Sequence, residues 1–193
     1  MDARMPAGCT WRMKRLRGPA GVARHRGGHA LIETALLFTF LPFLFLGVSE
    51  YSEADLAKRR LDAAAGTSAD LIARLDAVTT AEIDAMKDNL INEIVKPFTT
   101  ASFGLVLTQV TTDANGQSTV SWSRARGGSA SARAVGSSIV LPAGLAEAST
   151  SVIMAETSYP FSSTLSSMIV GVRNLTGTAY SAPRHGGQVV LSP

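Results

Sequence analysis

A single cysteine, Cys9, is all the thiol chemistry this chain possesses. No disulfide can close within it, and no Cys-based metal site can be assembled. Histidine is nearly as scarce: His25, His29 and His185 are too scattered to form a metal-ligand spacing. His185 is the only one far from the N-terminal region, and its surroundings, "RHGG", offer it no evident partner. The Gly/Ser-rich stretch at residues 125–138 lacks the Lys-Ser/Thr ending of a phosphate-binding loop, and no Gly-x-Ser-x-Gly elbow surrounds Ser129. No nucleophile, base and orienting acid stand in a recognisable arrangement. The chain therefore reads as non-enzymatic, with no catalytic, metal or cofactor-binding residues.

Acidic residues are almost missing from the first 28 positions. Arg4, Arg12, Lys14, Arg15, Arg17, Arg24 and Arg26 stand there against Asp2 alone, a net charge of +6. Beyond Gly28, eleven basic and fourteen acidic residues leave a net of −3. The basic surplus thus belongs to the N-terminal segment and not to a folded face, and aromatics make up only 6% of the chain. Both facts argue against a nucleic-acid partner, which calls for clustered cations and stacking aromatics on the folded part.

What the sequence does have is a long apolar run. Residues 30–48 contain no charge other than Glu33. At about 1.5 Å per residue, 19 helical residues reach about 28 Å, close to the hydrocarbon thickness of a bilayer. The run is apolar on every side, unlike a core helix with one buried face. It is longer than a secretory signal core and passes into Ser49-Glu50-Tyr51-Ser52-Glu53, not into a small-residue cleavage site. The expectation is a single transmembrane helix at residues 29–49, lying in the lipid bilayer. The basic residues 1–28 stay cytoplasmic and the C-terminal part lies across the membrane. Pro42 removes one backbone donor inside the span and predicts a bend near Phe38.

Glu33 lies one turn inside the run, where a charged side chain is costly: about 2.5–3.5 kcal/mol at the bilayer centre, less near the headgroups. Read plainly, it is an interfacial acid. Read by spacing, it is the fifth residue counted from His29, so a cut after Gly28 would free an amine about one turn away. That amine could pair with Glu33 of a neighbouring subunit. Leu36, Leu37, Phe40, Leu44 and Gly47 continue the Glu33 face and suit helix-on-helix packing.

These residues resemble a known family. A basic segment ending in Gly, four residues, a Glu and then a hydrophobic helix is the pattern a prepilin peptidase acts on in type IV pilin-like proteins. The stretch "GGHALIETALLFTFLPFLFLGVSEYSEADLAKRRLDAAAGTSADLIAR" is similar, more specifically, to the start of TadE/TadG-like pseudopilins. The resemblance covers residues 24–76 and 150–184. It implies Gly28 as the cleavage glycine, His29 as the new N-terminus, Glu33 as the subunit-pairing glutamate and Pro42 as the proline of the span. Thr34 departs from the pattern, since an aromatic residue commonly follows the glutamate. Implied partners are the prepilin peptidase, other pseudopilins and pilin subunits, and Tad assembly components of the bacterial inner membrane.

Beyond the span, residues 50–98 read as a helical stem. Leu56, Leu61, Ala64, Leu71, Ile72 and Leu75 supply apolar positions, and Gly66-Thr67-Ser68 is a weak point. Lys58-Arg59-Arg60 reads as a solvated helix face. Thr79-x-x-Glu82 predicts a capping box, and Ile83, Met86, Leu90 and Ile94, with Ile91 and Val95 beside them, predict an apolar stripe that ends at Pro97. Residues 99–193 read as an antiparallel β-rich region. Strands at 103–112 and 117–124 are joined by the turn "DANG", which lacks the remaining ligands of a calcium loop. Val120 and Trp122 are expected on one face. Residues 125–138 read as a flexible loop, 150–159 as a third strand, 162–172 as a connection and 175–182 as a weaker fourth strand. The fold class is α+β, pilin-like in plan.

The functional expectation is a structural component of a Tad-type (Flp) pilus assembly. The alternative is an uncleaved, membrane-tethered extracytoplasmic binding or sensor domain in which Glu33 is incidental.

Overall fold

The computed structural model describes residues 26–145, 147–163, 171–185 and 187–192. The chain divides into two units between Phe45 and Leu46. The first 25 residues, most of the basic segment, lie outside the described residues, as does most of the connection at 162–172. The architecture is α+β: a long apolar N-terminal helix followed by a small antiparallel sheet.

Helix α1 runs from Arg26 to Ala73, 48 residues in one piece, with Pro42 inside it. Its segment from Gly28 to Ala73 contains a stretch long and apolar enough to cross a membrane, none of it buried by the chain itself. The expected weak point at residues 66–68 is instead continuous helix. Ser68 is fully buried and donates its hydroxyl to the Ala64 carbonyl at 2.6 Å, so its polar atom is satisfied locally.

In the second unit the helix buries a face of small residues. Ala57, Leu61, Ala64, Ala65, Ser68, Ala69, Ile72 and Ala73 are buried at helical spacing. Leu56 and Leu75, expected in that stripe, are 42% and 41% exposed. Small side chains bring the helix axis close to whatever lies beneath, and here that is the sheet. Thr157 donates its hydroxyl toward the Leu61 carbonyl, 3.1 Å away.

Four strands form the main sheet: β2 (Gly104–Thr112), β3 (Ser118–Arg126), β4 (Ser151–Phe161) and β5 (Arg173–Ser181), in the order β3-β2-β4-β5, all pairs antiparallel. On the face toward the helix, Leu105, Leu107, Trp122, Ile153 and Ala155 join the helix residues in one core. The β2–β3 turn closes on Asp113, whose carboxylate accepts the backbone N–H of Asn115 and Gln117. Val120 and Trp122 do not share a face. Trp122 lies opposite Gln109, but Val120 lies opposite Val110, the next residue along, so Ser121 is the extra residue of a bulge. Strict alternation fails at that point, and Trp122 turns into the core while Val120 faces the other way.

That other face is covered too. Val106, Thr108, Val110 and Met154 are all buried. Of residues 125–138, expected as a flexible loop, the first two complete β3 and the rest, on to Ile139, are tied down as a strap. Arg133 donates its backbone N–H to Ser123 Oγ and its guanidinium to both oxygens of Glu156. Farther along, Gly136 and Ser137 exchange backbone hydrogen bonds with Val120, and Ile139 donates to the Ser118 carbonyl. The outer edge of β3 is thereby paired, the usual remedy for an exposed strand edge.

Short helical pieces complete the stem before the sheet: α2 (Thr80–Met86), a π-helical turn (Lys87–Ile91) and α3 (Asn92–Val95). The predicted capping box forms, with Thr79 and Glu82 bonding each other's backbone N–H. The apolar stripe differs from expectation. Ile83, Lys87, Ile91 and Val95 are buried, and Leu90 is 43% exposed. The wider π turn keeps four-residue steps on one side of the helix. Lys87 therefore points inward, with its Nζ 3.6 Å from Asp88 and 5.8 Å from the centre of the Phe103 ring.

Two strands were not expected. β1 (Ala77–Thr79) and β6 (Val190–Ser192) pair in parallel across the boundary between stem and β-rich region. Next to β6, Trp122 Nε1 donates to the Val189 carbonyl at 2.8 Å, and the Val189 N–H donates to Gln109 Oε1 at 2.8 Å. The C-terminal segment is thus fixed through polar groups that the core buries and satisfies.

Helix and sheet approach closely at Gly177 on β5. A Cβ there would stand 2.6 Å from Thr157 Oγ1 and 3.0 Å from the Leu61 carbonyl carbon. Gly177→Val should cost about 1–3 kcal/mol through overpacking. Gly66→Ala has nothing within 4 Å of the added methyl and should stabilise by about 0.5–1 kcal/mol. Urea unfolding of the detergent-solubilised protein distinguishes the two signs.

Candidate functional site

The residues singled out from the sequence lie on one helix, and the structure places them in order along it. Gly28 and His29 are exposed, in the first turns of α1. Gly28 has no atom within 4 Å of an added Cβ, so its backbone is not crowded by the chain. Glu33 is exposed, and among the described residues no hydrogen bond or ion pair to its carboxylate is found. A carboxylate in an apolar segment without an internal partner must find water, headgroups or another chain.

Leu36, Leu37, Phe40 and Leu44 are each at least 50% exposed, and Gly47, on the same face, is open. Beside that face runs an apolar groove of about 560 Å³, lined by Ile32, Ala35, Leu36, Thr39, Phe40 and Phe43. Ala35 and Thr39 form its floor because they are short. Thr39 further hides its hydroxyl by donating to the Ala35 carbonyl at 2.9 Å. Sequence reasoning placed Leu36 and Phe40 on the packing surface but missed the Ala35-x-x-x-Thr39 pair. Two small residues four apart are the signal that marks it, since they let a second helix approach closely.

The second unit carries several ion pairs. The expected solvated trio at 58–60 is held by neighbours: Lys58 pairs with Asp62, Arg59 with Asp55, and Arg60 reaches the Ile94 carbonyl. Arg124 and Arg126 reach from β3 to Asp84 and Asp88 on the stem. A groove of about 410 Å³ lies beside the Arg133–Glu156 pair, lined mainly by serine and threonine. Arg133 is held further toward its charged form by the Glu156 carboxylate. Among the described residues, no three His, Cys, Asp or Glu side chains gather as a metal-binding group.

At the end of α1, Arg184 donates its backbone N–H to the Ala73 carbonyl and its guanidinium to Asp70, which also pairs with Arg74. His185 Nδ1 lies 3.1 Å from the Arg74 carbonyl. The segment after β5, Pro183 to His185, thus caps the helix C-terminus, where free carbonyls favour cations. His185, which lacked a partner in the sequence, finds one here.

No protein-family model, curated protein or solved structure matches the chain.

Four carboxylates sit below their ordinary range, each for a local reason. Arg74, then Arg184, hold Asp70 down, and Arg126 does so for Asp88. Backbone N–H groups lower the other two, Thr79 for Glu82 and Gln117 for Asp113. A carboxyl group with a depressed folded pKa adds stability above its unfolded pKa and loses it as pH falls through the folded value. The loss should therefore begin from about pH 4 downward. Asp70→Asn should flatten that acid limb and lower the urea midpoint at neutral pH, with the gap between variant and parent closing as pH falls.

Proposed function

We propose that the chain is a structural, non-enzymatic pseudopilin of the TadE/TadG-like kind, a pilin-like assembly component of a Tad-type (Flp) pilus in a bacterial inner membrane. The observation that carries this reading is Glu33. It stands five residues after Gly28, in an exposed apolar stretch of α1, with no partner found among the described residues. The net charge of +6 over residues 1–28 orients the helix with its N-terminus in the cytoplasm and the sheet domain outside.

In this reading a prepilin peptidase cuts after Gly28, and His29 becomes the N-terminus. The amine then pairs with Glu33 of an adjacent pseudopilin or pilin subunit. Pairing offsets the desolvation of both charges and fixes the axial register, so the ion pair acts chiefly as a specificity device. Leu36, Leu37, Phe40, Pro42, Leu44 and Gly47 pack the helices together, and the outer domain meets the other Tad assembly components.

Glu33→Ala tests the pairing directly. Membrane insertion should be normal, because an apolar residue enters lipid more readily than a carboxylate. Pilus assembly, scored by electron microscopy of sheared filaments, should be lost. Normal assembly by the variant would make Glu33 incidental and favour the tethered-domain reading.

A further inference from the structure

The end of the sheet domain where β4 leaves off and β5 begins carries an unexplained set of exposed groups. Val172 is 64% exposed and stands next to the exposed Arg173, the first residue of β5. Tyr51 on α1 is 75% exposed, and Val48 is 59% exposed. Singly, none of these calls for an explanation. Their common height does.

Ser163, two residues past the end of β4, donates its hydroxyl to the Glu50 carboxylate on α1. Phe161 at the end of β4 lies opposite Arg173. The start of β5 is therefore held close to the level of Glu50. In sequence, Glu50 follows Val48, the last residue of the apolar run, by two positions, or about 3 Å of helix rise. The headgroup zone on each side of a bilayer is roughly 5–7 Å deep. A group held level with Glu50 cannot stand clear of that zone.

We infer that this end of the domain, Val172 and Arg173 with Tyr51, rests on the bilayer surface as a lipid-contacting foot. The inference rests on the reading of residues 29–49 as a membrane span. Each residue has a separate role by chemistry. The Val172 side chain leaves water at the acyl boundary, and the Arg173 guanidinium faces lipid phosphates, which it can bind in bidentate fashion. Tyr51 takes the interfacial position that amphipathic aromatics prefer. The Ser163–Glu50 bond sets the height. Contact at this second point, beside the helix, leaves the opposite end of the strands, where Val140 lies, pointing away from the membrane.

The opposite end of the sheet supplies the control. Val140 is 93% exposed and adjoins Ile139, whose N–H bonds Ser118 at the start of β3. Ser118 pairs with Thr112, beyond the Thr111–Ser151 pair that begins β4. Val140 is thus an exposed valine like Val172 but lies at the far end of the strands.

Three single-cysteine variants of the full chain, in a Cys9→Ser background, test this: Val172→Cys, Val140→Cys and Phe40→Cys. Each is labelled with a polarity-sensitive fluorophore and reconstituted into phosphatidylcholine–phosphatidylglycerol vesicles. The vesicles carry nitroxide lipids, spin-labelled at the headgroup or along the acyl chain. The label at 40 should be quenched by the acyl nitroxide, which establishes the span. The label at 172 should be quenched several-fold more strongly by the headgroup nitroxide than the label at 140. Adding Ser163→Ala should move the 172 signal toward that of 140. Quenching at 40 with equal signals at 172 and 140 overturns the foot while leaving the span intact. No quenching at 40 removes the span, and the foot with it.

Discussion

The close seating of α1 on the sheet governs the rest of the structure. Where Leu61 crosses Thr157 and Gly177, the Thr157 hydroxyl bonds the helix backbone and the glycine leaves no room for a larger side chain. Larger residues at Ala64, Ala65 or Ala69 would lift the helix and open the core over Leu105, Leu107 and Ile153. The seating also positions the peripheral ties, because Ser163 reaches Glu50 at one end of the contact and Arg184 reaches Asp70 and Ala73 at the other. A helix free to rock on the sheet would satisfy neither. Burial of small residues contributes little area, so the polar fastenings at both ends supplement it.

The consequence for function lies in α1 itself. It is a single helix, so the stretch apolar enough to cross a membrane and the residues that pack the domain belong to the same element. Side chains before Leu46 face outward on every side, and side chains from Ala57 onward face the sheet on one. Such a helix has two separable surfaces, one bare and apolar, the other occupied by its own domain. Glu33 belongs to the first surface, which is why no partner for it is found among the described residues.

Much of this was readable in the sequence wherever one short segment determines the outcome. The apolar run, the Thr79–Glu82 box, the turn at Asp113 and the four long strands depend on local pattern, and they formed where pattern placed them. The exceptions are all non-local. The bulge at Ser121 is set by pairing with β2, and it breaks the two-residue period that placed Val120 and Trp122 together. Lys87 turns inward because a π turn replaces α geometry, a change no apolar stripe announces. Three-residue strands such as β1 and β6 are too short to show a pattern and pair across more than a hundred residues. The strap at 127–139 reads as loop by composition, but its order comes from Glu156, Ser123 and the edge of β3. At the candidate site the spacing of Gly28 and Glu33 was legible, whereas the Ala35–Thr39 groove emerged only once side chains were placed on the helix.

The proposed pairing at Glu33 requires a new N-terminus one helical turn before it. Intact-mass analysis of the membrane-bound protein, coexpressed with an active prepilin peptidase, addresses that claim without intermediaries. The predicted result is a species that has lost residues 1–28 and begins at His29, absent when the peptidase is inactivated. Retention of residues 1–28 beside an active peptidase would contradict it.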